Sequence, residues 1–414
     1  MPDIPSVPED IFTPKTIVTR EMFERRNEPD ADGNPGVQDR LQDALRERGA
    51  QVLIFGDTGV GKSSLVKYAA EDEYLEAVTV ECGSDMSYAD ILDTVIRKLV
   101  DVKPTTQKRA ITGEVSVSGE ASVPWFTRFS GTIKGTKGRE EAYEVVEKPV
   151  LDVITEVMAK AGKSLIVLDN FQNIKSQETR NLVAQLMEKL SDRAGDWNMP
   201  DLKCVVIGIA EDAGSLLGTS LSFQRRTVQI GVPRMPDDEI RALLTRGFDL
   251  LELEVPNQLM TKFVFYSDGF PFFAHLIGLY VSRKTLRSGT RNVASEGLNA
   301  ALTEAAKSVA ASYDQRVRGA REVGGDVQPR KQIMRILADS TDRTWSSTDV
   351  QTLWATALGA RYGYAFMHVA LSQLSSSEYG GILRRTGKPK RYRYEFADPH
   401  IRPFLRITRA AHDD

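Results

Sequence analysis

Short apolar runs alternate with amphipathic stretches over the first half of the chain. The runs "VLIF", "EAVTVECG", "KSLIVLDNFQNI" and "LKCVVIGIAED" each contain a short apolar stretch, as buried strands do. Between them, "SSLVKYAA", "YADILDTVIRKLV", a stretch from about Glu140 to Lys160 and "TRNLVAQLMEKLSDR" carry apolar residues every three or four positions, the spacing of helices with one buried face. Strands alternating with helices predict a parallel sheet, with ligands at the carboxyl ends of its strands. An earlier amphipathic helix is predicted from about Val37 to Arg48, after a polar loop rich in Gly, Pro, Asn and Asp. The segment "AITGEVSVSGEASVPWFTRFSGTIKGTKG", about 110–138, breaks the rhythm with Ser, Gly, Thr and alternating apolar residues, and predicts a projecting hairpin or ordered loop.

From "MPDDEIRALLTRGFDLL" onward the pattern is helical, through "NQLMTKFVFYSDGFPFFAHLIGLYVSRKTL" and "SEGLNAALTEAAKSVAASYDQRV". The glycine-rich "REVGGDVQP" then reads as a linker. Beyond it, "RKQIMRILAD", "SSTDVQTLWATAL" and "YAFMHVALSQLSS" predict three helices, and "GGILRRTGKPKRYRYEFADP" predicts a hairpin turning at "TGKPK". Three helices and a hairpin make a winged helix. The expected architecture is therefore an α/β phosphate-loop domain, a helical lid and a C-terminal winged helix. The boundaries are an N-terminal segment 1–36, a nucleotide-binding domain 37–232 carrying the insertion, a lid 233–322 and a winged helix 326–414.

Composition narrows the picture only a little. The 414 residues are 41% hydrophobic and 27% charged, within the ordinary range for globular chains of two or three domains, and the net charge of −3 argues against a uniformly basic nucleic-acid coat. Locally the balance differs. From Asp326 to Asp414 there are 14 Lys and Arg against 9 Asp and Glu, and six of the positives, Arg384, Arg385, Lys388, Lys390, Arg391 and Arg393, fall in the predicted hairpin beside Tyr392 and Tyr394. Such a wing suits phosphate contacts, whereas the helix "YAFMHVALSQLSS" offers only His368, Gln373 and serines to base edges. The alternative is a solvated basic hairpin, or a unit that packs within the protein. The two cysteines, Cys82 and Cys204, lie in or beside apolar runs and read as buried free thiols of a reducing compartment. The start "MPDIPSVPEDIFTPK" has no signal-peptide pattern and no apolar run approaches about 18 residues, so a cytoplasmic protein is expected.

The chemistry concentrates in "GDTGVGKSS", Gly56 to Ser64, which fits G-x-x-x-x-G-K-[ST] between a predicted strand and a predicted helix. Gly56, Asp57, Thr58, Gly59, Val60 and Gly61 would wrap phosphates with backbone N–H groups. The helix N-terminus adds a favourable dipole, Lys62 reaches the outer phosphates, and Ser63, followed by Ser64, offers a hydroxyl to Mg²⁺. Hydrolysis further requires a strand-end carboxylate for the metal, and Asp169 is placed to be one.

On these residues the chain resembles the origin-recognition-like AAA+ ATPases of bacteria, a group close to STAND signalling ATPases and to archaeal AAA ATPases with C-terminal winged helices. The resemblance runs over nearly the whole chain: "IFTP", "MFERR", "GDTGVGKSSL", "LIVLDNFQNI", "IGIAEDAGSLLGTSLSFQRRTVQIGVPRMPDDEI", "SDGFPFFAHLIG" and "RYRYEFADPHIRPF", the last three being the most specific. It implies ATP or ADP with Mg²⁺ as ligands, and Ile17, Val18 and Phe23 flanking the adenine. It implies Arg225 of "SFQRR", with Arg226 as competitor, facing the γ-phosphate in a neighbouring subunit. In "DGFPFF" it implies Gly269 and Pro271 close to the nucleotide, as in the Gly-x-Pro lid motif of STAND proteins. One departure matters. Most AAA+ proteins have glutamate after the metal-binding aspartate, and here Asn170 stands there. An amide orients water but cannot take its proton. Either Glu211 or Gln172 substitutes, or turnover is slow. Two functions follow from the resemblance: a DNA-associated ATPase assembling head to tail, or a signalling switch that oligomerises on nucleotide exchange while its winged helix packs intramolecularly.

Overall fold

The computed structural model describes residues 7–29, 33–99, 150–209, 221–321, 328–359, 363–388 and 391–410. The chain divides into two compact units, one of Arg25–Thr58 and Lys62–Pro233, the other of Met1–Glu24, Gly59–Gly61 and Arg234–Asp414. The expected insertion, about 110–138, lies outside the described residues.

The first unit is built on a five-stranded parallel sheet: β1 (Gln51–Phe55), β2 (Ala77–Glu81), β3 (Leu165–Asp169), β4 (Lys203–Ile207) and β5 (Thr227–Gly231), in the order β2-β3-β4-β1-β5. Burial follows position in that order. Strands β3 and β4 are buried at every residue and β1 at all but Phe55, whereas the edge strand β2 alternates buried and exposed positions. Strands covered on both faces read as continuous apolar runs, and an edge strand does not. Among its described residues the unit also holds helices α2 (Val37–Arg46), α3 (Lys62–Asp72), α4 (Tyr88–Leu99), α5 (Val150–Lys160), α6 (Gln177–Arg193) and the short α7 (Leu221–Arg226). On one face Ile91, Val95, Ile154, Met158, Met187 and Leu190 close over Val80, Leu168 and Val206. The ladder sets Glu81 directly opposite Asp169. Helix α1 (Pro8–Ile11), in the other unit, is a single turn.

In that other unit, α8 (Asp237–Leu250), α9 (Asn257–Ser267), α10 (Pro271–Arg287) and α11 (Leu298–Ala320) follow the helical pattern. Phe12 of the N-terminal segment is fully buried in a slot floored by Gly247 and Gly278, where a Cβ on either glycine would lie 2.4 Å from its ring. Glycine within a helix costs about 1 kcal/mol against alanine, so space for the ring explains both residues. Next come α12 (Pro329–Asp339), α13 (Ser347–Leu358) and α14 (Tyr364–Leu374). The hairpin β7 (Leu383–Thr386) and β8 (Arg393–Phe396) gains a third strand, β6 (Trp345–Ser346), in the order β6-β8-β7. A final helix, α15 (Ile401–Ala410), is one that sequence periodicity left unassigned. It buries Arg402 and Arg406 beside Ile401, Phe404 and Ile407. Asp268, which ends α9 in left-handed conformation, takes contacts from Arg234 at 2.6 Å and from Arg402 and Arg406 at 3.4 and 3.2 Å. Arg406 also donates to the carbonyls of Phe265, Ala338 and Ser340, capping the C-terminal ends of two helices.

Both cysteines are buried free thiols, their pKa pushed up to about 12 chiefly by burial. Among the described residues no helix is long and apolar enough to cross a membrane.

Candidate functional site

Strand β1 ends at Phe55 and α3 begins at Lys62, so the phosphate-loop sequence is a strand-to-helix turn as its motif requires. Gly56 has φ of 141° and approaches Val232 so closely that a Cβ would fall 2.5 Å from the Val232 carbonyl oxygen; only glycine fits. Lys62 is buried, and its ammonium donates to the carbonyls of Gly56 at 2.9 Å and Asp57 at 2.7 Å, curling the side chain into the loop. Burial lowers its pKa to about 8, against the opposing pull of Asp169 and Asp57. A buried cation in a glycine loop at a helix N-terminus fits a phosphate chain.

The first residue after Lys62 ties the loop to the sheet. Ser63 Oγ donates to Asp169 Oδ2 at 2.6 Å, joining the start of α3 to the end of β3. No group of three or more His, Cys, Asp or Glu side chains converges as a metal cage among the described residues. Mg²⁺ keeps several waters and takes one or two protein oxygens plus phosphate oxygens, and the Ser63 hydroxyl and the Asp169 carboxylate offer oxygens of that kind. Ser63 and Asp169 are the residues that would hold it.

Beside Asp169 the backbone turns sharply. Asn170 adopts φ 57°, ψ 35°, a left-handed conformation that asparagine tolerates, and its N–H donates to Asp169 Oδ1 at 2.7 Å. Its side-chain amide donates to Glu81 Oε2 at 2.8 Å across the β2–β3 ladder. Sequence reading missed Glu81, whose signal was its place as the last residue of a strand adjacent to β3. Gln172 accepts from the Ile209 N–H at 3.1 Å and reaches Asn170 at 3.5 Å, so its amide bridges two strand ends. Glu211 lies outside the described residues.

The two arginines of α7 separate clearly. Arg226 is held by Asp192 at 2.5 Å and by the Ser222 hydroxyl at 2.7 Å. Arg225 is exposed and makes no ion pair among the described residues. Gly269 has φ of 75° and sits against Met235 and Arg234; Pro271 opens α10 in its first turn, its Cγ 4.0 Å from where a Cβ of Gly61 would stand. Ile17 is 46% exposed, while Val18 and Phe23 are half-buried and Arg246 donates to the Phe23 carbonyl at 3.2 Å.

The basic hairpin is less uniformly available than its composition suggests. Arg384 pairs with Glu395 at 2.9 Å, and Arg385 stacks 4.4 Å above the Tyr392 ring. Lys388, Arg391 and Arg393 are exposed; Lys390 lies outside the described residues. Tyr394 corrects the expectation of two surface aromatics. It is only 5% exposed, because β6 pairs on that side and sets Trp345 opposite it.

The parallel sheet, the loop and the Ser63–Asp169 pair define a phosphate-loop nucleoside-triphosphatase fold of the AAA+ class. Residues 36–196 match the AAA ATPase domain family. Among solved structures, the chain is similar to a Walker-type ATPase of Pyrococcus abyssi, at 17% identity over 94% of this chain and 97% of that one, with a TM-score of 0.48. It is also similar to the ORC2 protein of Aeropyrum pernix in ADPNP–ADP complexes, at 15% identity over 95% and 98%, TM-score 0.46. The Aeropyrum pernix ORC1 protein in complex with DNA is similar at 13% over 99% and 96%, TM-score 0.44. No curated protein matches the chain. Likenesses this distant assign no activity.

Proposed function

We propose that this chain is a cytoplasmic ATP-binding AAA+ protein, a slow Mg²⁺-dependent ATPase acting as a nucleotide-controlled, DNA-associated assembly factor. The observation that carries the nucleotide reading is the convergence of Lys62, curled into the glycine loop, with the Ser63–Asp169 pair directly after it. Lys62 neutralises the outer phosphates, and Ser63 and Asp169 would hold Mg²⁺, which would supply charge stabilisation at the γ-phosphoryl group. Asn170 in place of a glutamate makes turnover slow. Arg225 completes the site of a neighbouring copy, since Arg226 is already held within its own subunit. The C-terminal unit is a winged helix over 326–414, following a lid over 233–322, and its basic hairpin contacts DNA phosphates.

A second reading is favoured by one feature. Helix α14, the candidate recognition helix, exposes Tyr364 at 45%, Phe366 at 52% and Val369 at 57%. Hydrocarbon of that kind suits a protein surface better than base edges, as expected of a signalling switch.

The nucleotide reading is tested by titrating ATP with Mg²⁺ into wild type and Lys62→Ala. Loss of at least ~10-fold in affinity is expected from removing the buried cation, since each ~1.4 kcal/mol is tenfold. Equal affinity would put the pocket elsewhere.

A further inference from the structure

The carboxylate absent from position 170 has a counterpart on the adjacent strand. Glu81 ends β2, directly opposite Asp169 at the end of β3, and Asn170 Nδ2 holds its Oε2 at 2.8 Å. The Asn170 amide is therefore a positioning group, and the acid it positions lies at the mouth of the sheet's carboxyl end, where the phosphate loop and the metal-holding pair also lie. The geometry differs from its surroundings in one respect. Glu76, near the opposite end of β2, makes an ion pair with Lys163 at 2.9 Å. For Glu81 the partner shown is a neutral amide, which leaves its charge and one carboxylate oxygen available to a water.

We propose that Glu81, held by Asn170, is the general base for ATP hydrolysis in this chain, the role that the residue after the strand-end aspartate cannot fill here. The inference rests on the ATPase reading above. In the step, the water oxygen forms a bond to the γ-phosphorus while the bond from that phosphorus to the β–γ bridging oxygen breaks, its electron pair leaving on ADP. The water proton passes to the Glu81 carboxylate and then to solvent. Asn170 keeps the carboxylate in place by donating to its second oxygen.

The test is steady-state phosphate release and equilibrium ATP binding on the full chain, for wild type, Glu81→Gln, Asn170→Ala, the exchange Glu81→Asn with Asn170→Glu, and Glu76→Gln. Glu81→Gln is expected to lower kcat about 100-fold, at the lower end for a positioned base, with ATP affinity within about threefold of wild type. Asn170→Ala lowers kcat by less, because the base stays but loses its orienting donor. The exchanged pair recovers to within about tenfold of wild type, which a merely structural contact would not produce. Glu76→Gln leaves turnover unchanged. Glu81→Gln turning over at the wild-type rate overturns the assignment, and so does a wild type that binds ATP without hydrolysing it above the Lys62→Ala background. In both cases intact ATP binding leaves the nucleotide reading standing. If wild type does not bind ATP at all, that reading fails first and the assignment with it.

Discussion

Arg225 and Arg226 stand next to each other in sequence, and the structure surrounds them differently. Arg226 bridges α7 to α6 through Asp192, with Ser222 as a second acceptor; Arg225 points a charge outward with no ion pair among the described residues. Arg226→Ala is expected to act on the subunit itself, shifting its melting temperature slightly, since partly exposed pairs contribute about 0–1 kcal/mol. Arg225→Ala should leave melting unchanged and lower phosphate release only at protein concentrations where copies associate. Phosphate release measured across a dilution series, beside thermal melts of both variants, checks this. Equal loss of turnover at every concentration for Arg225→Ala would remove the role in a neighbour's site.

At the level of elements, α15 shows what periodicity conceals. In "IRPFLRITRA" Ile401, Phe404 and Ile407 repeat at helical spacing, but Arg402 and Arg406 interrupt them, and arginines ordinarily read as solvent-facing. Both are buried because Asp268 and the carbonyls of Ala338 and Ser340, more than sixty residues away, receive them. No local rule exposes such a match. The same holds for Glu81 and Asn170, 89 positions apart, and for β6, a two-residue strand that exists only through pairing with β8. By contrast β1, β3, β4 and the phosphate loop were legible, since buried strands and glycine loops declare themselves over a few adjacent residues. Strand β5 was not, because its "TVQIG" holds only two apolar side chains, Val228 and Ile230, with Gln229 between them. Asp268→Asn provides a test of the buried cluster: asparagine keeps the left-handed conformation and removes only the charge. Arginines left without their counter-charge should cost about 3–5 kcal/mol in urea unfolding. An unchanged midpoint would mean that the carbonyl acceptors alone satisfy Arg402 and Arg406.

For the molecule as a whole, nucleotide held by the phosphate loop is expected to control the association of the basic hairpin with DNA. The measurement that meets this claim most directly is the affinity of the full chain for a non-specific duplex, taken across a salt series with and without ATP and Mg²⁺. Affinity is expected to fall steeply with salt, because exposed Lys388, Arg391 and Arg393 displace counterions, and to differ when ATP is present. Replacing those three residues by alanine should weaken binding and flatten the salt slope by about 3 while ATP affinity stays as in wild type. Absence of DNA binding in both nucleotide conditions, or binding insensitive to salt and to the triple variant, would contradict the account and leave the signalling switch, with α14 as its protein-facing surface, as the better description.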